Sequence, residues 1–199
     1  MKVKICGLTT LEAAQTAENA GADFLGFIFA DSKRKISPEK AKEIIEELNG
    51  KALKVGVFVD ESLEEIERIQ RLTGIDIIQL HGQESIEKAG SFSVPVIKAF
   101  SIQNEVDLRK IEGYPVDYQL LDLPKNSQSS SKKTLDWQMI HRLRQSCNRL
   151  ILAGGLTPMN VSEAIKLVQP FAVDVSSGVE TNGYKDHEKI RLFIKNAKQ

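Results

Sequence analysis

Eight short apolar segments, separated by longer amphipathic ones, constrain the fold of this chain more than any other feature. The apolar segments are rich in β-branched residues, and several do not alternate with polar residues, which is typical of strands buried on both faces of a parallel sheet. We predict strands at residues 3–6, 23–29, 53–59, 75–80, 94–100, 118–123, 149–153 and 172–175.

The intervening segments carry apolar residues at positions i, i+3, i+4 and i+7, which predicts helices with one buried face. The pattern is clear around residues 41–48, 161–168 and 190–197. Ser37 and Thr157 each precede a proline. A hydroxyl cap followed by proline at the first helical position predicts that helices begin at Pro38 and Pro158.

Eight strand–helix units in 199 residues favour one architecture. A mean spacing of roughly 25 residues per unit suits a small (β/α)8 TIM barrel, whose lower size bound is about 200 residues. We therefore predict an α/β protein that forms a single barrel domain over residues 1–199. The alternative is a doubly wound open sheet, which usually has a glycine-rich turn after its first strand. Residues 6–9 read CGLT and lack the GxGxxG pattern.

Composition excludes several classes of protein. The chain has 27 Lys plus Arg and 27 Asp plus Glu, so it lacks the basic excess with which proteins bind nucleic-acid phosphates. No apolar stretch approaches the roughly 20 residues that span a bilayer, and the first strand is too short for a signal peptide. With two cysteines, Cys6 and Cys147, there is no disulfide framework and no CxxC metal pair. We expect a soluble cytoplasmic protein without nucleic-acid, membrane or obligate protein partners.

In a barrel of this kind the active site lies where the strands end, at their C-terminal face. Asp122 ends the sixth strand, and desolvation there would raise its pKa and suit it to general acid catalysis, although a surface charge or helix cap is the alternative. Cys6 ends the first strand and is either a small core residue or a general base. In the second case we expect nearby cations, Lys4 and residues 33–35, to lower its pKa from roughly 8.5.

Other strand ends supply weaker candidates. Arg34 suits bidentate recognition of a carboxylate, although a solvated basic face is the plain alternative. Asp60 and Asp174 lie at the ends of the third and eighth strands. His81, in the sequence QLHG, favours a hydrogen-bonded structural role over acid–base catalysis. The three histidines show no zinc spacing, so no metal site is predicted.

Two glycine-containing segments follow the seventh and eighth strands. Gly154 and Gly155 precede a helix, and Ser177 and Gly178 follow the last strand. Barrels frequently bind phosphate at this position on backbone N–H groups, which glycine leaves accessible. Tight turns would explain either segment alone, but the two together favour a phosphate site.

Seven motifs, in order along the whole chain, resemble those of the phosphoribosylanthranilate isomerase family of tryptophan biosynthesis. They are KICGLT (4–9), LGFIFADSKRKISP (25–38), VGVFVDE (55–61), IIQLHG (77–82), LLD (120–122), LAGGLTP (152–158) and VDVSSGVE (173–180). The resemblance implies a (β/α)8 barrel that catalyses a cofactor-free Amadori rearrangement of N-(5'-phosphoribosyl)anthranilate to 1-(2-carboxyphenylamino)-1-deoxyribulose 5-phosphate.

The resemblance also implies a role for each matching residue. Cys6 becomes the general base, Asp122 the general acid, Arg34 a substrate-positioning residue near the anthranilate and Asp174 a supporting polar contact. The backbone of Gly154, Gly155, Ser177 and Gly178 would hold the phosphate. Two alternatives remain: another phosphate-binding barrel isomerase of amino-acid biosynthesis, which an aspartate in place of Cys6 would favour, or a non-catalytic barrel that binds a sugar phosphate.

The chain departs from the family pattern in two places. Residues 123–134 form a long segment rich in serine and lysine, where the family commonly has a glycine-rich stretch. Loops of this length are usually lids or disordered segments. Asn182 and Gly183 replace the common proline–glycine pair. Neither change alters Cys6 or Asp122.

Overall fold

Eight parallel strands close into a barrel in the order of the sequence. The structure, a computed structural model, describes residues 1–102, 111, 113–123, 136–143 and 149–199. The strands are β1 (Lys2–Cys6), β2 (Phe24–Ile28), β3 (Leu53–Phe58), β4 (Ile77–Leu80), β5 (Val96–Ser101), β6 (Tyr118–Asp122), β7 (Leu150–Leu152) and β8 (Ala172–Val175). Because β1 pairs with both β2 and β8, the sheet has no edge. The predicted (β/α)8 barrel is confirmed, and the open sheet is excluded.

The helices of the described part surround this barrel. They are α1 (Leu11–Asn19), α2 (Pro38–Glu46), α3 (Leu63–Thr73), α4 (Ile86–Ala89), α5 (Trp137–Leu143), α6 (Val161–Val168) and α7 (His187–Lys198). In the part of the chain that the structure describes, none of them is long and apolar enough to cross a membrane.

One of the two predicted helix starts is confirmed and the other is wrong. Ser37 caps α2, since its hydroxyl accepts a hydrogen bond from Lys40 N at 3.2 Å. The helix expected from Pro158 begins three residues later, at Val161. Asn160 Oδ1 accepts from Thr157 N at 2.8 Å, and this side-chain turn occupies the residues that would have formed the first helical turn.

Two separate apolar clusters form the core. The larger one packs the helices against the outside of the strands. The smaller one fills the barrel interior with residues from β2 to β8 and their ends: Phe24, Val55, Ile77, Ile97, Ala99, Tyr118, Leu120, Ile151, Ala153 and Ala172. Strand β1 contributes none of these, because Lys4 and Cys6 occupy its corresponding face.

A short hairpin follows β8 and was not predicted. Strands β9 (Glu180–Thr181) and β10 (Tyr184–Lys185) pair antiparallel after a 3₁₀ turn at Ser177–Val179. Asn182 and Gly183 connect them with φ values of 53° and 85°. Positive φ at both central residues is the geometry for which Asn-Gly is favoured in two-residue hairpins.

Candidate active site

All eight predicted site residues lie at the C-terminal face of the barrel. Cys6 and Asp122 are the last residues of β1 and β6, and Asp174 lies near the end of β8. Arg34 lies in the loop after β2, and the remaining four residues lie in the loops after β7 and β8. The long segment that follows Asp122, residues 124–135, and Cys147 lie outside the described residues, so the expectations about them stay predictions.

Lys4 is fully buried beneath Cys6, and its Nζ lies 3.0 Å from Asp174 Oδ1. Residues two apart on a strand share a face, which places the ammonium group and the thiol on the same side of β1. Asp174 lies beside Lys4 in the pairing register of β1 and β8. Burial is the largest single influence and disfavours the charged form of Lys4. The neighbouring Asp174 and Cys6 together outweigh burial, so the pKa of Lys4 is raised.

The expected net lowering of the Cys6 pKa is wrong, although Lys4 acts on the thiol in the expected direction. Burial raises the pKa of the thiol, and this effect outweighs the opposing charges of Lys4 and Lys185, while Asp174 raises it further. The Cys6 residue is 6% exposed. Desolvation therefore determines the direction of the pKa shift of Cys6. The residue is a thiol at neutral pH in the ligand-free protein.

Asp122 shows the predicted shift. Desolvation raises its pKa from 3.8 to about 6, and Asp174 adds to this effect, while a hydrogen bond from Leu123 N and the charge of Lys4 oppose it. His81 Nε2 lies 3.6 Å from Asp122 Oδ2, and His81 Nδ1 lies 3.0 Å from Gln79 Nε2. His81 is thus hydrogen-bonded, as predicted, but it also neighbours the candidate acid.

Arg34 is held by a carboxylate that the sequence analysis did not single out. Its Nε and Nη2 donate to Glu180 Oε1 and Oε2 at 2.6 and 2.8 Å. Lys185 Nζ donates to the same Glu180 Oε1 at 2.6 Å. These bonds lower the pKa of Glu180 although burial opposes them. The signal was present in the sequence, since Glu180 ends the quoted VDVSSGVE motif, but the hairpin that carries Lys185 was not recognised.

The loops after β7 and β8 form tight turns that lie against each other. Gly154 and Gly155 have φ values of 82° and 70°, so the turn after β7 requires glycine for its backbone conformation. A Cβ atom on Gly178 would lie 1.8 Å from Leu156 O, so the loops after β7 and β8 are in direct contact. The two segments are therefore adjacent at the barrel mouth, and their role as a phosphate site stays a prediction.

Asp60 belongs to a structural network instead. Its backbone N donates to Glu84 Oε1 at 2.9 Å, and its own Oδ1 accepts from Gln83 N. Glu84 in turn pairs with Lys98 Nζ at 2.7 Å, and both side chains are almost completely buried. Lys98 alternates with the interior residues of β5, so this second buried ion pair lies outside the barrel.

Gly26, on the neighbouring strand β2, leaves the space that the Cys6 thiol and the Lys4 ammonium group occupy. A Cβ atom at this position would lie 2.9 Å from Cys6 Sγ, 3.1 Å from Cys6 Cα and 3.1 Å from Lys4 Nζ. We expect Gly26→Ala to displace the thiol and lower kcat at least about tenfold, because misplacement of about 1 Å is costly in catalysis. Steady-state kinetics with purified protein test this. Gly90→Ala is the matched control, because Gly90 has an ordinary φ of −86° and a Cβ atom there would meet Pro115 Cγ at 3.1 Å, with neither Cys6 nor Lys4 among its nearest atoms.

The fold and the position of these groups define a (β/α)8-barrel enzyme with its site at the C-terminal mouth. The sequence model of the N-(5'-phosphoribosyl)anthranilate (PRA) isomerase family matches residues 3–196. The chain belongs to this family.

Individual members of the family are similar to this chain over its full length. The chain is 48% identical over 201 aligned residues to an N-(5'-phosphoribosyl)anthranilate isomerase of Bacillus cereus, covering 100% of this chain and 98% of the relative. It is similar to the crystal structure of phosphoribosyl anthranilate isomerase from Thermotoga maritima, with a TM-score of 0.94, 46% identity and coverage of 100% and 98%. Another phosphoribosyl anthranilate isomerase structure, with a TM-score of 0.90, 44% identity and the same coverage, is a complex with reduced 1-(o-carboxyphenylamino)-1-deoxyribulose 5-phosphate.

Proposed function

We infer that this chain catalyses the Amadori rearrangement of N-(5'-phosphoribosyl)anthranilate to 1-(2-carboxyphenylamino)-1-deoxyribulose 5-phosphate in tryptophan biosynthesis. The observation that carries this inference is the presence of a thiol, Cys6, and a carboxyl of raised pKa, Asp122, at one barrel mouth. Family membership and the relative bound to a reduced form of the product support it. Adding the purified protein to phosphoribosylanthranilate should make the substrate fluorescence decrease, and an unchanged signal would contradict the inference.

The reaction needs one acid and one base. Asp122, as the neutral acid, protonates the furanose ring oxygen and opens the aminal to an iminium ion. Cys6, as the thiolate, then removes the proton from C2', which gives an enolamine that tautomerises to the ketone. Both steps are proton transfers by side chains, and neither requires a hydride donor or a metal ion.

Different residues bind the carboxylate and the phosphate of the substrate. Arg34 recognises the anthranilate carboxylate, and Glu180 fixes the guanidinium group for that contact through Nε and Nη2. The backbone of Gly154, Gly155, Ser177 and Gly178 holds the phosphate. Asp174 supports the site through its bond to Lys4.

In the ligand-free protein at neutral pH, Cys6 is protonated and Asp122 is mainly ionised, which is the reverse of what the reaction needs. With a pKa of about 6, Asp122 is mainly a carboxylate at pH 7, while burial keeps Cys6 a thiol. The productive form, with a neutral Asp122 and a Cys6 thiolate, has the same net charge but a different proton position. Catalysis therefore depends on how strongly the surrounding charges stabilise the thiolate.

Activity should survive exhaustive chelation, because every proposed step is a proton transfer. Within the described residues, no three His, Cys, Asp or Glu side chains lie together in a way that could hold a metal ion. The measurement is turnover before and after dialysis against EDTA. Loss of turnover that zinc or magnesium restores would contradict the mechanism.

A further inference from the structure

We propose that Lys4 is a positioning residue whose buried ammonium group stabilises the Cys6 thiolate, and that Asp174 limits this effect by binding the same ammonium group. The proposal deepens the proposed function, because it assigns the group that makes the productive proton arrangement accessible. The Lys4 ammonium group lies beneath the reacting atoms and takes no part in the substrate contacts described above.

The geometry places Lys4 next to both Asp174 and Cys6. Its side chain is 0% exposed, and its Nζ lies 3.0 Å from Asp174 Oδ1. The same Nζ and the Cys6 Sγ border one small space, the position that a Cβ atom on Gly26 would fill, at 3.1 and 2.9 Å from it. An ammonium group has three donors, so the bond to Asp174 leaves others that can face the sulfur.

Other charged groups also act on Cys6 and have to be separated from Lys4. Lys185 on β10 lowers the pKa of the thiol, and Arg34 in the loop after β2 interacts with it electrostatically. Both of these cations bind Glu180, which offsets part of their charge. Among the groups that favour the thiolate, Lys4 contributes most, and Asp174 opposes it.

Lys4 also acts on the second reacting group. Its charge lowers the pKa of Asp122, although desolvation remains the dominant influence there. The ammonium group therefore favours the negative charge on either reacting group. When the proton moves between Cys6 and Asp122, the charge stays within the field of the same cation, and the rearrangement avoids creating an unpaired buried ion.

The test is the titration of Cys6 without substrate, in a Cys147→Ser background that leaves a single thiol. The rate of iodoacetamide modification is measured against pH by mass spectrometry. Lys4→Met should raise the apparent thiol pKa and reduce the rate at pH 8 at least about tenfold, because a neighbouring opposite charge shifts a pKa by roughly one unit or more. Asp174→Asn should shift the pKa in the opposite direction, because it leaves the ammonium group to the sulfur.

A double variant keeps the test valid if Lys4→Met fails to fold with Asp174 unpaired. Lys4→Met/Asp174→Asn removes both charges together and should still titrate above the parent protein, since the Lys4 effect on Cys6 exceeds that of Asp174. Lys98→Met is the matched control, because it removes an equally buried ion pair outside the barrel. It should leave the thiol titration unchanged.

Activity measurements distinguish this proposal from the proposed function. Lys4→Met should lower kcat more than it changes KM, because Lys4 favours a protonation state and does not bind substrate. Unchanged thiol titration in both folded Lys4 variants would overturn the role of Lys4 even if the parent turns over phosphoribosylanthranilate. Shifted titration in a parent that does not turn over this substrate would contradict the proposed function and leave the charge assignment intact.

Discussion

Replacing Cys6 by serine is expected to lower kcat about 10²- to 10⁴-fold, the range that general acid–base catalysis typically contributes. A hydroxyl is far less acidic than a thiol, so the buried site would no longer supply an adequate base. Substrate affinity should change much less, because Arg34 and the glycine loops are unaltered. Steady-state kinetics of the purified variant, with circular dichroism to confirm folding, measure both effects.

Cys147 provides the internal control for this experiment. It lies in the sequence between α5 and β7 and thus on the rim predicted to be opposite the site, although it is outside the described residues. Cys147→Ser should be nearly silent, and thiol alkylation should inactivate the protein through Cys6 alone. Comparable losses in the two variants would show that Cys6 is not the base.

The barrel could be predicted because its pattern is local. Each strand is a short apolar run and each helix repeats one apolar stripe, so the eight units follow from composition within windows of about ten residues. The strand ends then place Cys6 and Asp122 at one face without any long-range information. The start of α6 could not be predicted as easily, since Thr157 and Asn160 compete with the helix through a side-chain hydrogen bond.

The charge interactions of the site were harder to predict from the sequence than the barrel. Lys4 and Asp174 are far apart in sequence, and only the closure of β1 on β8 brings them into contact. The sequence indicated cations near Cys6 but gave no measure of burial, so the expected pKa shift had the wrong sign. Glu180 and Lys185 required recognition of a two-residue hairpin, whose Asn-Gly turn is a known signal that was read only as a departure from the family pattern.

Asp122→Asn is expected to lower the chemical step by about 10² or more, because an amide cannot donate the proton to the ring oxygen. The pocket should keep its shape, and a product analogue should still bind. Single-turnover kinetics with phosphoribosylanthranilate measure the step directly, and equilibrium titration with the analogue measures binding.

The loop that follows Asp122 supplies the contrasting variant. Replacing Ser129, Ser130 and Ser131 by glycine should alter substrate affinity or product release, as changes in lids often do, and leave the chemical step intact. These serines lie outside the described residues, so this expectation derives from the sequence alone. If the chemical step fell as far as in Asp122→Asn, the acid would have to lie in the loop, or the loop would have to build the site.

The same Asp122→Asn substitution should stabilise the fold at neutral pH. The folded state raises the pKa of this carboxyl from 3.8 to about 6, so between these values it binds more protons than the unfolded chain. The free energy of unfolding contributed by Asp122 therefore falls as pH rises through this interval and stays low above pH 6. One pKa unit corresponds to about 1.4 kcal/mol, and the 30% exposure of the Asp122 side chain reduces the effect through solvent screening. We therefore expect the free energy of unfolding of Asp122→Asn to exceed that of the parent by about 1–2 kcal/mol at pH 7. Near pH 4 most of this gain should be lost, because the carboxyl is then almost fully protonated in the folded state and no longer carries the unfavourable charge.

Urea unfolding of both proteins at pH 4 and pH 7 measures this difference. An equal or lower stability of the variant at pH 7 would show that Asp122 is not desolvated in the folded protein and would remove the physical basis for its role as the acid.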